Sequence, residues 1–231
     1  MRTLTRKQRN QARRILAATR SRIARGGMEG LKLAAIARDV DMTAAALYRY
    51  FPNKGALLAA VNAQILRDQT RILIRLEQLT LGDSERKCTL FIQAAMEALI
   101  NLATEQAESF ALLSTTLVDP RILVRDPSQA VHIPELMELR GLLERAILDA
   151  QQTQQLSPGD ARQRVVRLLF GCLGILQAHK LVRFEPSLDL RAAVRELTMD
   201  LLTLWGAKRP ALVAGLPNAN LLANRALLEL L

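Results

Sequence analysis

The chain has 231 residues, half of them hydrophobic, with a formal net charge of +10 and two cysteines. That length is ample to bury a core, and the composition excludes a disordered or disulfide-stapled chain. All of the excess charge lies in the first quarter: residues 1–60 hold thirteen Lys plus Arg against three acids, and the other 19 basic and 19 acidic residues cancel. A basic head on a neutral body is the footprint of a nucleic-acid binder, and a membrane-surface helix is the other use of such charge. No N-terminal segment joins a charged region to an apolar stretch and a small-residue cleavage site, so a cytoplasmic, nucleoid-associated protein is expected. Apolar runs such as "LLFGCLGIL", Leu168 to Leu176, are too short to span a bilayer, and no membrane partner is expected. Cys88 and Cys172 form no CxxC pair and read as buried thiols in a reducing compartment.

Apolar spacing of i, i+3, i+4 dominates the chain, which predicts an all-α fold. The first helix is expected over Arg6–Arg25, with Ile15, Leu16, Thr19 and Ile23 inward, and "RGGMEG" releases it into a loop. A short helix over Leu33–Val40 buries Leu33, Ile36, Ala37 and Val40. "DMT" is a tight connection, and Thr43 caps a third helix, Ala44–Phe51, which Pro52 ends. Asn53 caps a fourth helix from Lys54 to about Leu79. Ser84 is the expected cap of a helix to about Thr104, followed by one over Glu105–Val118. "DPRILVRDPSQAVHI" reads as a loop or broken helix, and Pro134 opens a helix ending near Gln155. An apolar helix over Asp160–Val182 and a long one over Leu188–Trp205 follow. In the remaining tail a short amphipathic helix is expected from about Asn220. The expected partition is a head at 1–55, a helical body at 56–206 and a tail at 207–231.

Two short helices joined by a tight turn, with small residues opening the second, make a helix-turn-helix. The major groove of DNA admits one α-helix, whose first turn must reach base edges. "GMEGLKLAAIARDVDMTAAALYRYFPNKGALLAAV", Gly27 to Val61, resembles the N-terminal domain of the TetR family of bacterial transcriptional repressors. The residues that carry the resemblance are Ile36-Ala37, Thr43, Leu47-Tyr48, Phe51, Lys54 and Leu57-Leu58. Asp41 stands where that pattern has a turn glycine, and Asp tolerates left-handed angles better than most residues. Lys32 and Leu33 replace a capping Thr or Ser, so Lys32 is expected to supply a charge to a phosphate in place of a hydroxyl.

Leu47 and Phe51, at i and i+4, are expected to face the core of the head, leaving Tyr48 and Tyr50 toward the outside. The resemblance implies that Tyr48 and Lys54 contact phosphates. Thr43 combines capping with such a contact. Ala44, Ala45 and Ala46 would meet the groove floor, where alanine reads only shape or a thymine methyl. Arg49 and Tyr50 are the candidates for more directional contacts. Arg2, Arg6, Lys7 and Arg9 are placed to follow an adjacent minor groove. The partner is thus a double-stranded DNA operator read largely through backbone and shape.

The resemblance further implies a C-terminal domain that dimerises and holds a small-molecule effector. The sequence supports this through "ARQRVVRLLFGCLGILQAHKL", apolar nearly all round, with small residues Gly171, Cys172 and Gly174. Such a helix must be covered on most sides. With the next long helix it would form a four-helix interface, so a homodimer through about 160–182 and 188–205 is expected. Aromatic residues are scarce in the body, which favours a hydrophobic effector held by aliphatic side chains. His132 and His179 have no partner at metal-ligand spacing, and neither a metal nor a cofactor is expected. No carboxylate pair or nucleophile with a base argues for an enzyme. Two readings remain: a ligand-released dimeric repressor, or a DNA-binding head on a protein-interaction body without an inducer.

Overall fold

The structure is a computed structural model and describes residues 5–27, 31–82, 87–118 and 132–229. Among them it is all-α, with no strand. The helices are α1 (Arg6–Gly26), α2 (Leu33–Asp39), α3 (Ala44–Tyr48), α4 (Lys54–Thr80), α5 (Lys87–Glu105), α6 (Ala107–Val118), α7 (Ile133–Gln152), α8 (Ala161–Gln177), α9 (Leu190–Leu204) and α10 (Arg209–Leu228). The expected Ser84 cap, Arg2, and most of the loop between α6 and α7 lie outside the described residues.

Most boundaries are set by local chemistry that is visible in the sequence. Thr5 accepts from the Gln8 backbone N–H at 3.2 Å while its own N–H donates to the Gln8 side chain at 2.8 Å, a reciprocal cap for α1. Asn53, Asp160 and Asp189 cap α4, α8 and α9 by accepting from Ala56, Gln163 and Ala192. The end of α7 uses no glycine: Gln154 takes the left-handed conformation (φ 56°), and the N–H groups of Gln155 and Leu156 both return to the Ala150 carbonyl.

The chain divides into two compact units, Met1–Leu66 with Gln106–Glu135, and Arg67–Glu105 with Leu136–Leu231. The division falls inside the continuous helix α4, whereas the sequence expectation set it at residue 55. In the first unit α1 packs on α2 and α6, and α2 on α3. Its core includes Ile15, Ile23, Ile36, Leu47 and Leu57, all essentially inaccessible.

In the second unit α5 is the central helix. It is buried along almost its whole length and meets α8, α9 and, most extensively, α10. The tail therefore differs from expectation. Instead of a short helix from Asn220, a 20-residue helix starts at Arg209. Gly215 and Pro217 suggest a break in the sequence, yet neither breaks the helix. Pro217 and Val213 are both exposed, so the carbonyl that loses its helical hydrogen bond at Pro217 lies on the solvent side. Gly215, Ala219, Ala223 and Ala226 form the buried seam that lets α10 approach α5 closely, and a Cβ at Gly215 would sit 3.1 Å from the Gln93 side-chain oxygen.

Polar side chains at every fourth position of α5 hold this seam. Gln93 donates to the Leu212 carbonyl at 3.0 Å, and Asn101 donates to Asn224 at 2.9 Å. Between them Glu97 accepts two hydrogen bonds from Arg195 of α9, at 2.6 and 2.9 Å, and one from Asn220 at 3.1 Å. Its side chain is 2% exposed, so these three donors replace nearly all of its water.

The apolar helix α8 is shorter than the expected Asp160–Val182. After Gln177 the chain tightens into a 3-10 segment, Ala178–Arg183, a frequent way for a helix to end. By length and mean hydropathy, though not by uninterrupted apolar run, Ala161–Arg183 is enough to cross a membrane. At Gly171 a Cβ would meet the Leu197 side-chain tip of α9 at 2.8 Å, so α8 and α9 approach closely there.

Candidate nucleic-acid interface

The segment from Lys32 to Lys54 builds a helix-turn-helix. Ala35, Ile36 and Ala37 bury one side of α2, and Val40 follows them into the core. The turn is made by Asp41 in the left-handed conformation (φ 55°), and the Met42 N–H returns to the Ala37 carbonyl at 2.9 Å. An Asp in the glycine position therefore keeps the turn. Thr43 then caps α3, its hydroxyl oxygen accepting from the Ala46 N–H at 3.1 Å.

Helix α3 is shorter than the expected Ala44–Phe51 and ends at Tyr48. The N–H groups of Tyr50 and Phe51 both bond to the Leu47 carbonyl, which closes a tight turn before Pro52. Leu47 and Phe51 are buried, as their spacing predicts. The opposite face presents Ala45, Tyr48 and Arg49, at i, i+3 and i+4, with Tyr48 49% exposed. Tyr50 is half-buried and so differs from Tyr48, although the sequence reading placed both toward the outside. Ala44 is half-buried at the start of the helix, and Thr43 and Lys54 are exposed at the starts of α3 and α4. Lys32 stands exposed at the N-cap of α2 and makes no side-chain cap, as expected where a hydroxyl is missing.

Contacts from α1 that no local motif announces hold the pair in place. Gln11 donates to the Met42 sulfur at 2.9 Å and to the Val40 carbonyl at 3.5 Å. Arg14 reaches the Asp41 carboxylate at 3.5 Å. Arg22 binds Asp39 through two nitrogens, Nη2 at 2.7 Å and Nε closer still. That hydrogen bonding holds the Asp39 carboxyl below the usual carboxylate range. Arg20 donates to the Gln106 side chain at 3.0 Å, just before α6. These partners are 17 to 86 residues apart, and only the cationic character of α1 hinted at them.

Two of the three acids in residues 1–60 thus meet arginines of α1, while Arg49, Lys32 and Lys54 stay toward solvent. An anionic partner that approaches α3 meets cations and hydroxyls without a facing carboxylate from Asp39. Among the described residues no group of three or more His, Cys, Asp or Glu is arranged to hold a metal ion.

Residues 15–61 match the family described as bacterial regulatory proteins, tetR family. The chain is 27% identical over 175 residues to the HTH-type transcriptional regulator UidR of Escherichia coli K12, which covers 74% of this chain and 83% of that one. It is 28% identical over 204 residues to the HTH-type transcriptional repressor KstR of Rhodococcus jostii RHA1, covering 88% and 87%. Its fold is that of the Bacillus subtilis regulator FadR in complex with stearoyl-CoA, with a TM-score of 0.57 at 18% identity over 82% of this chain and 97% of that one. The helix-turn-helix braced by α1 and the matched segment coincide, and the N-terminal domain of this chain is that of the TetR family of bacterial transcriptional regulators.

Proposed function

We propose that the protein is a homodimeric transcriptional repressor that binds a palindromic DNA operator and is released from it by a small hydrophobic effector. The observation that carries the reading is the two-sided α3: Leu47 and Phe51 bury one side, and Ala45, Tyr48 and Arg49 present the other. In this reading Tyr48, Lys54, Lys32 and Thr43 contact phosphates, Ala44 and Ala45 lie against the groove floor, and Arg49 with Tyr50 makes directional contacts. DNA reading is assigned to residues 1–55. Effector binding and dimerisation are assigned to 56–206, with α10 joined to that body. A cytoplasmic location goes with these roles.

Support for the dimer comes from α8 and α9. Val166 and Phe170 lie one turn apart on α8 and are exposed, Phe170 by 48%. Gly174 continues that stripe, and a Cβ there would meet nothing within 4 Å. On α9, Leu197 and Leu201 are half-buried and Leu204 is 74% exposed. Apolar surface of this kind on two neighbouring helices suits a second copy arranged about a two-fold axis. Two heads held in this way suit half-sites about one helical turn of DNA apart, roughly 34–36 Å. Effector binding would act by changing that separation, transmitted along the 27 residues of α4.

The hydrophobic effector is supported by the aliphatic interior and by the FadR fold likeness, that protein having been crystallised with stearoyl-CoA. The test is anisotropy binding to DNA from upstream of the protein's own gene across a salt series, with a scrambled duplex and a Tyr48→Phe plus Lys54→Ala variant alongside. Preference for the native duplex, lost in the variant, supports the reading. If operators selected from random DNA also bind no better than scrambled DNA, the reading is wrong.

A further inference from the structure

In the second unit, a cleft of about 200 Å³ opens where the end of α4, the start of α5 and the last turns of α7 come together. Phe91, Cys88 and Ala146 form its inner wall, and Glu77, Lys87 and Asp149 carry charge at its rim. Phe91 and Cys88 are each 4% exposed, so the wall is a fixed part of the core.

Several acids of this unit are paired: Glu97 has Arg195, Glu196 and Asp200 share Arg209, and Glu229 binds Arg75 and Arg225. Among the described residues the side chains of Glu77, Lys87 and Asp149 form neither an ion pair nor a hydrogen bond, although they line one cleft. Lys87 and Asp149 both act on the Cys88 thiol. Burial pushes that thiol up, Asp149 adds to the rise and Lys87 opposes it. An ammonium and a carboxylate thus flank one thiol without meeting each other. The thiol itself stays protonated and supplies no nucleophile.

We propose that this cleft binds a small zwitterion with an apolar body, of the amino-acid type. Its carboxylate faces Lys87, its ammonium faces Asp149 and Glu77, and its side chain lies against Phe91 and Ala146. Such a molecule uses all three rim charges while leaving them hydrated, so no buried charge has to be compensated. A simple cation leaves Lys87 opposed to it, and a simple anion meets two carboxylates. The volume holds a body of the size of an isobutyl or benzyl group. Binding is measured on the protein alone, so this inference stands or falls separately from the DNA-binding reading.

The experiment is isothermal titration of the full chain with L-phenylalanine and L-leucine, and with phenethylamine and 3-phenylpropanoate, each of which lacks one charge. Saturable one-to-one binding of an amino acid is expected, with each half-molecule at least about tenfold weaker, as loss of a charge-assisted contact implies. Lys87→Met should weaken the amino acid about tenfold while phenethylamine, relieved of a like charge, binds no worse, and Asp149→Asn should likewise weaken the amino acid while 3-phenylpropanoate binds no worse. Ala146→Trp fills the cleft and should abolish binding of every probe, with circular dichroism to verify its fold. Absence of saturable binding by both amino acids overturns the proposal. So does binding that survives Ala146→Trp, or a half-molecule that binds as tightly as its parent.

Discussion

The exposed side of α3 and one exposed stripe on α8 and α9 show solvent different kinds of side chain. On α3 the apolar residues Leu47 and Phe51 are turned inward, and what remains outside is small, hydroxylated or cationic. On α8 and α9 the outward residues include Val166, Phe170 and Leu204, with Gly174 among them. Burying apolar area drives the second kind of surface together and is insensitive to ionic strength. The first kind gains from displacing counterions, and its affinity falls steeply with salt. In the proposed reading the two surfaces take chemically distinct partners, a polyanion and a second copy of the helix pair, and each can be disabled without the other.

The largest effect should come from the apolar surface. Phe170→Glu with Gly174→Glu places charge where a partner copy would pack, at positions with open space in the protomer. Light scattering should report a folded monomer. Operator affinity should then fall by at least about a hundredfold, because the second head no longer binds at high effective concentration. A variant that stays dimeric would move the dimer contact away from α8.

Next in size is the loss of a phosphate contact. Lys54→Ala should weaken binding about equally on all duplexes and reduce the salt slope by about one. An unchanged slope would place Lys54 off the DNA. The same salt series supplies the contrast directly: between about 50 and 200 mM salt operator binding should fall by orders of magnitude while the dimerisation constant moves little. Parallel loss of both would mean that the dimer is held by ion pairs and that the two surfaces do not differ as argued.

The smallest effect concerns a brace. Arg22→Gln removes the guanidinium that holds the Asp39 carboxyl below its usual range. A lowered carboxyl stabilises the fold above its unfolded value, and that contribution fades as pH falls. The pair is exposed, so the difference in melting temperature at pH 7 should be slight, and it should close on acidification. A gap that widened in acid would contradict this assignment.

The head was legible because its signals are local. Thr43, Asn53, Asp41 and Pro52 act on neighbours within a few residues, and the pair Leu47 and Phe51 reports its own burial by spacing. Tyr50 marks the limit of that method. Its half-burial depends on the tight turn after Leu47, which shortened α3 by three residues relative to the expected Phe51 end. In the body the decisive contacts are distant. Nothing near Glu97 in the chain tells that Arg195 and Asn220 will meet it, although Gln93, Glu97 and Asn101, four apart in an apolar helix, did offer a polar stripe in need of partners. Helix α10 was underestimated for the same reason. Gly215 and Pro217 look like breakers until α5 supplies a neighbour for the glycine side and solvent takes the proline side.

The seam between α5 and α10 also imposes an order on how the protein is made. Gln93 and Asn101 find their partners 119 and 123 residues later, on α10. On the ribosome α5 is complete well before α10 exists, so its polar stripe must wait, hydrated or loosely covered, until α10 emerges. A chain cut short before Arg209 would carry the whole head but a central helix without its α10 neighbour.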